Sequence, residues 1–148
     1  MKCRGSHIFL MLAVMLFVSC SKGGGTIDDG SGGGGGPHVE NPADVVPPVI
    51  EITTPTDNQV FSNGSTISIT GKLTDNLGLY RGTVRIVNDA DGTELKNQAY
   101  EIHGLLTYNY TTSYTATVAA VSNYTITVSF EDHGNNVSTK SVKVKINP

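Results

Sequence analysis

Carboxylate and amide side chains stand in two turns of this sequence, each directly after a stretch of alternating apolar residues. Asp75 and Asn76 form part of the first turn, and Asp132 and Asn135 form part of the second. If the flanking stretches are strands of a two-sheet sandwich, these turns lie side by side at one end. Oxygen atoms converging from two loops are what calcium binds. The four residues are therefore a candidate calcium site.

The same residue types also have a purely structural explanation. Asp and Asn form turns by accepting hydrogen bonds from nearby backbone amides, and Gly78 and Gly134 supply the positive φ that turns need. Asp89 and Asp91, followed by Gly92, also suit calcium, but a hairpin turn requires the same residues. The sequence favours the structural explanation at both sites, and it keeps calcium as the alternative at the first.

Two tyrosines are candidates for contact with a ligand. Tyr108 and Tyr110 flank Asn109 in a weakly patterned segment. An exposed tyrosine offers an apolar face and a polar tip, which suits a sugar or a protein partner. The alternative is that the segment is an edge strand or a loop that lines the core.

No arrangement of residues predicts catalysis. His133 follows Asp132 directly, but adjacent residues of a strand point to opposite faces, so the pair is not a dyad. His103 is expected in a strand and not as a general base. No serine-nucleophile, zinc-protease or phosphate-loop motif occurs at a strand-to-helix junction. The chain is therefore expected not to be an enzyme.

Charge and cysteine content restrict the partners further. The 148-residue chain has 10 basic and 13 acidic residues, and without Lys2 and Arg4 it has 8 against 13. It lacks the clustered basic residues that phosphate recognition needs, which argues against nucleic acid. Cys3 and Cys20 are the only cysteines, and neither falls in the segment with strand patterning.

The N-terminus has the organisation of a secretory signal. Lys2 and Arg4 precede an unbroken apolar run at residues 8–18, which is followed by Ser19 and Cys20. Eleven apolar residues are too few to cross a bilayer as a helix, and they suit the hydrophobic region of a signal peptide. Residues 1–19 are therefore predicted to be a signal peptide.

The boundary Phe17-Val18-Ser19-Cys20 resembles the lipobox of bacterial lipoproteins, with Phe17 in place of the usual leucine. The resemblance implies that Cys20 is acylated, and two or three acyl chains hold a protein stably on a membrane. Ser21 in place of aspartate resembles lipoproteins of the outer membrane, and the acidic pair Asp28-Asp29 is compatible with export to the cell surface. The membrane is thus an expected partner, through the lipid on Cys20.

Residues 20–46 are predicted to be a flexible linker. Nine glycines lie between Gly23 and Gly36, and such a chain cannot offset the entropy that ordering costs. The linker would hold the following domain away from the membrane and let it reorient.

Residues 47–148 are predicted to form one domain of seven or eight strands. Apolar residues alternate with polar ones throughout, and no stretch has helical periodicity. This pattern favours an all-β, antiparallel, two-sheet immunoglobulin-like sandwich, with turns at intervals typical of that fold. The expected core contains seven apolar residues: Ile50, Ile69, Val84, Tyr124, Ile126, Val128 and Phe130.

The segments PPVIEITTPTDNQVFSNGSTISITGKLTDNLGLYRGTVRI and YTITVSFEDHGNNVSTKSVKVKI resemble bacterial Ig-like domains, in particular uncharacterised Ig-like lipoproteins of Gram-negative anaerobes. The resemblance supports the fold and an exported location, and it specifies no ligand. The functional hypothesis is a non-catalytic surface module that binds a protein or a glycan, or acts as a spacer. The alternative is a glycan-binding accessory protein of an outer-membrane nutrient-uptake system, with Tyr108 and Tyr110 contacting the sugar.

Overall fold

The computed structural model describes residues 40–148. The predicted signal peptide, Cys20 and the linker up to residue 39 lie outside the described residues. The described part contains eight strands, which are β1 (Val49–Thr54), β2 (Gln59–Ser62), β3 (Thr66–Thr74), β4 (Leu79–Asn88), β5 (Glu94–Glu101), β6 (Thr107–Thr115), β7 (Ser122–Asp132) and β8 (Val137–Asn147).

The strands form two sheets, which confirms the predicted sandwich. One sheet has the order β1-β3-β6 and the other has the order β2-β8-β7-β4-β5. The chain passes from the first sheet to the second after β1, at the cis Thr54-Pro55 bond. β2 then runs parallel to β8, and every other pair in the described strands is antiparallel.

The residues on the inward face of β7 form the centre of the core. Its inward positions are all buried, from Tyr124 to Asp132, while the residues between them are half-buried on the outer face. On the opposing sheet, Ile67, Ile69 and Leu73 of β3 have no exposed surface. All seven residues predicted for the core are buried, which are Ile50, Ile69, Val84, Tyr124, Ile126, Val128 and Phe130.

Two glycines make room for aromatic rings between the sheets. Gly71 pairs with Tyr110, and a Cβ at Gly71 would overlap the Tyr110 hydroxyl and the Glu51 carbonyl oxygen. Gly82 pairs with Phe130, and a Cβ there would overlap the Phe130 ring. Glycine inside a strand often marks such a close approach.

The strand directions define two poles of the sandwich. We call the pole where the chain enters the domain the proximal pole. The start of β1 and the ends of β3 and β7 lie there. The connections β2–β3, β4–β5 and β6–β7 and the C-terminus lie at the opposite, distal pole. Both turns of the candidate calcium site are therefore at the proximal pole.

Within residues 40–148 there is no helix long and apolar enough to cross a membrane.

Val128→Asp should abolish cooperative folding, because Val128 is fully buried at the centre of β7 and the substitution buries an unpaired charge. The matched control is Thr127→Asp, which places the same charge on the outer face of the same strand. Thermal unfolding followed by circular dichroism should show no transition for Val128→Asp and a transition within a few degrees of wild type for Thr127→Asp. Equal melting temperatures for the two variants would contradict this packing.

Candidate metal centre

Three aspartates from separate segments converge at the proximal pole. Asp44 precedes β1, Asp75 follows β3, and Asp132 ends β7. One carboxylate oxygen of each lies within 4.8 Å of those of the other two. Asp44 and Asp132 are 2% and 0% exposed, and Asp75 is half-buried. We call these three residues the aspartate cluster.

Asp75 uses only one of its carboxylate oxygens to form its turn. Its Oδ2 accepts hydrogen bonds from the amides of Leu77 at 2.9 Å and Gly78 at 2.6 Å. These bonds are the turn-forming role expected for aspartate. Its Oδ1 is buried and has no hydrogen-bond partner among the described residues. The turn therefore accounts for one oxygen and leaves the other without a partner.

Asp132 organises the turn between β7 and β8. Its Oδ1 accepts hydrogen bonds from the amides of Gly134 at 2.7 Å and Asn136 at 2.9 Å. Its Oδ2 accepts one from the Asn136 side-chain amide at 2.9 Å. The same amide donates to the backbone carbonyl of Asp44 at 3.0 Å, so Asn136 joins this turn to the entering chain.

The segment that carries Asp44 lies against the β7–β8 turn. The Asn41 amide donates to the His133 carbonyl oxygen at 2.7 Å, and the Asp44 amide donates to the Asn41 carbonyl oxygen at 2.9 Å. A Cβ at Gly134 would overlap the Asp44 carbonyl oxygen, so glycine is needed for this close approach. The sequence-based boundary at residue 47 therefore leaves out a segment that packs on the domain.

The carboxylate of Asp44 itself accepts few and long hydrogen bonds. Its Oδ1 accepts long hydrogen bonds from the Val46 amide at 3.2 Å and the Asn76 side-chain amide at 3.4 Å. Its Oδ2 is buried and has no hydrogen-bond partner among residues 40–148. In the same part of the chain, no lysine or arginine forms an ion pair with any member of the cluster.

The structure brings together two of the four residues that the sequence suggested and adds one that it missed. Asp75 and Asp132 belong to the cluster, and Asn76 reaches it through its bond to Asp44. Asn135 is exposed with φ of 63°, and its amide donates to the Asp132 carbonyl oxygen, so its role is in the turn. Asp44 was missed because it lies in a segment without strand or helix periodicity. The one available signal was that it lies shortly before β1, near the pole where the two turns meet.

The second acidic turn is a hairpin, as the sequence favoured. The Asp91 carboxylate accepts a hydrogen bond from the Thr93 amide at 2.9 Å, which holds the pKa of Asp91 below its usual value. Asp89 accepts a hydrogen bond from Thr125 at 2.6 Å and pairs with Lys143 at 3.5 Å. Gly92 has φ of 75°, as the hairpin requires.

The ligand-contact prediction needs correction at Tyr110. β6 is an edge strand, but Tyr110 points into the core, is 1% exposed, and donates a hydrogen bond to the Glu51 carbonyl oxygen at 2.9 Å. Tyr108 is half-buried with its ring centroid 6.2 Å from that of Tyr100. Because Tyr110 is buried, it is not placed for the predicted contact with a ligand, whereas Tyr108 keeps part of its surface exposed and its contact stays a prediction.

Two histidines that the sequence placed apart lie close together in space. His103 follows β5 in a loop with φ of 45°, which corrects its predicted position in a strand. Its ring lies 5.8 Å from that of His133, and the Tyr80 ring contacts both, at 4.9 Å and 5.1 Å. Only the pairing of β4 with both β5 and β7 reveals this proximity.

The architecture is that of the immunoglobulin-like sandwiches, with three strands packed on five and a core between them. Residues 48–128, more than half of the chain, match the family described as Bacterial Ig domain, and the chain belongs to that family. A comparison with curated protein sequences gives no match.

Two solved structures resemble this chain in fold. The fibronectin(III)-like modules of Clostridium thermocellum CbhA are 14% identical, with 67% of this chain and 96% of that chain covered and a TM-score of 0.44. Murine CRIg is 9% identical, with 68% of this chain and 96% of that chain covered and a TM-score of 0.40. Values this low carry no information about ligands.

Tyr110→Phe should weaken the domain at neutral pH and reduce its sensitivity to alkali. The substitution removes the hydrogen bond to Glu51, which costs about 1 kcal/mol. Burial raises the pKa of Tyr110, so above pH ~10 the unfolded chain loses this proton first and wild-type stability falls. Urea unfolding at pH 7 and pH ~11 should show a smaller alkaline loss in the variant. An equal loss in both proteins would show that Tyr110 does not titrate in this way.

Proposed function

We propose that this protein is a lipid-anchored surface lipoprotein that presents a non-catalytic Ig-like module, which binds a surface protein or glycan or acts as a spacer. The anchor is Cys20 and the membrane is the outer membrane, with the domain facing the cell exterior. Membership of the Bacterial Ig domain family supports the module, because folds of this kind are typically non-catalytic. The signal-like N-terminus and the Val18-Ser19-Cys20 boundary support the anchor.

The observation that carries this proposal is the polarity of the domain. The chain that leads from Cys20 enters at the proximal pole, where residues 41–46 dock. The three connections at the distal pole are therefore at the end of the domain opposite the point where the tether enters. A partner can contact those connections without meeting the tether. This arrangement suits both binding and spacing.

The distal pole also has surface that a partner can contact. Val60 and Val121 are 56% and 55% exposed there. A depression close by is lined by residues that include Asn58, Asp89, Asn123 and Lys143. Mixed polar and apolar surface of this kind is typical of non-obligate protein interfaces. Fold alone does not decide the ligand, so the partner is defined here only by its chemistry, as a protein or glycan.

The anchor is tested by metabolic labelling of the full chain with a palmitate analogue. Wild type should incorporate the label and Cys20→Ala should not, because Cys20 supplies the acylated sulfur. Cys3→Ala is the matched control, since Cys3 lies inside the predicted signal peptide and its loss should leave labelling unchanged. Label that persists on Cys20→Ala would overturn the proposed anchor.

The location is tested separately on intact cells. Added protease should remove the domain from whole cells if it faces outside, and should do so only after outer-membrane permeabilisation if it faces the periplasm. A periplasmic protein should remain protected in the same cells, which controls for leakage. Protection of this domain in intact cells would contradict surface exposure.

A further inference from the structure

We propose that the aspartate cluster is a calcium site and that the bound ion holds residues 41–46 against the proximal pole. The proposal concerns a ligand of the domain and does not depend on the lipid anchor. It starts from the three carboxylates of Asp44, Asp75 and Asp132, whose oxygens lie within 4.8 Å of one another.

The spacing of these oxygens suits calcium. Calcium binds oxygen at 2.3–2.6 Å, so two ligands of one ion lie at most about 5 Å apart. The separations of up to 4.8 Å in the cluster fall inside this limit. Magnesium binds at 2.0–2.1 Å and tolerates at most about 4.2 Å between ligands. Zinc favours nitrogen and sulfur ligands, which the cluster lacks. Because the cluster offers only oxygen ligands at a spacing that calcium accepts, and magnesium demands a tighter and more regular shell, calcium is the ion that we assign to it.

The burial of the cluster requires a compensating charge. Asp44 and Asp132 are almost wholly buried, and buried carboxylates are costly unless they are paired or bind a metal. Both oxygens of Asp132 accept hydrogen bonds, but Asp44 Oδ2 and Asp75 Oδ1 have no donor among residues 40–148. Turn formation does not explain these two buried oxygens. A divalent cation between them would bind both and offset most of the negative charge.

The ion would join the entering chain to two loops. Asp44 comes from the segment before β1, Asp75 from the β3–β4 turn, and Asp132 from the end of β7. Without the ion, the segment is held by a few hydrogen bonds, of which those to the Asp44 carboxylate are long. Calcium takes six to eight oxygens, so water and second carboxylate oxygens would complete its shell. Binding would then fix the end of the linker to the domain.

Thermal unfolding of the full chain in detergent tests the site. After chelator treatment, about 5 mM calcium should raise Tm by at least about 5 °C, if its affinity is that of extracellular calcium modules. The same concentration of magnesium should give less than half of this rise. No rise with calcium, or equal rises with both ions, would overturn the proposal. Calorimetric titration at 25 °C should give one calcium per chain, and this measurement does not depend on any variant.

Asp44→Asn distinguishes a metal ligand from a structural aspartate. In chelator, the variant should melt at or above the wild-type temperature, because a buried charge has been removed, and its response to calcium should be lost. If Asp44 were only a hydrogen-bond acceptor, the variant would melt lower and keep its calcium response. Asp91→Asn is the matched control, because Asp91 lies in the distal hairpin and its variant should keep the full calcium response.

Hydrogen exchange tests the docking of the segment. Calcium should slow exchange of the Asp44 and Val46 amides at least tenfold, since both hydrogen bonds belong to the docked segment. Calcium binding without added protection of residues 41–46 would overturn this part of the proposal. The Cys20→Ala chain should show the same calcium response as wild type, so failure of the anchor and failure of the site can be told apart.

Discussion

The fold depends on burial of one continuous apolar face along β7. Strand residues alternate between faces, so Tyr124, Ile126, Val128 and Phe130 all point into the space between the sheets. A shift of pairing by one residue would expose this whole face and bury the intervening polar residues. β4 and β8 flank β7 in register over most of its length, and their own inward residues extend the same core. The positions of the connections follow from this one register.

The same alternation places a carboxylate in the interior. Asp132 occupies the next inward position after Phe130, at the end of the strand, and is as buried as the apolar residues before it. At that point backbone amides of the following turn donate hydrogen bonds to the carboxylate. The apolar core therefore ends in a polar layer at the proximal pole, and the entering chain completes this layer with Asp44.

Sequence patterning predicted the features that local periodicity controls. Two-residue alternation indicated the strands and all seven expected core residues, because burial on one face of a strand leaves a direct trace in the sequence. The roles of Tyr110 and Asp44 left no such trace. Tyr110 is buried because Gly71 on the neighbouring strand leaves room for its ring, and Asp44 is buried because Gly134 lets the entering chain approach. Both depend on pairings between residues that are far apart in sequence.

The docked segment extends the domain beyond its first strand. Residues 41–46 contact the β7–β8 turn through the Asn41 amide and the Asn136 side chain. The part of the chain that hydrogen bonds hold to the sandwich therefore begins before β1, at residue 41. Any interaction that strengthens these contacts lengthens the rigid part of the protein without altering the sandwich, because the segment adds no strand to either sheet.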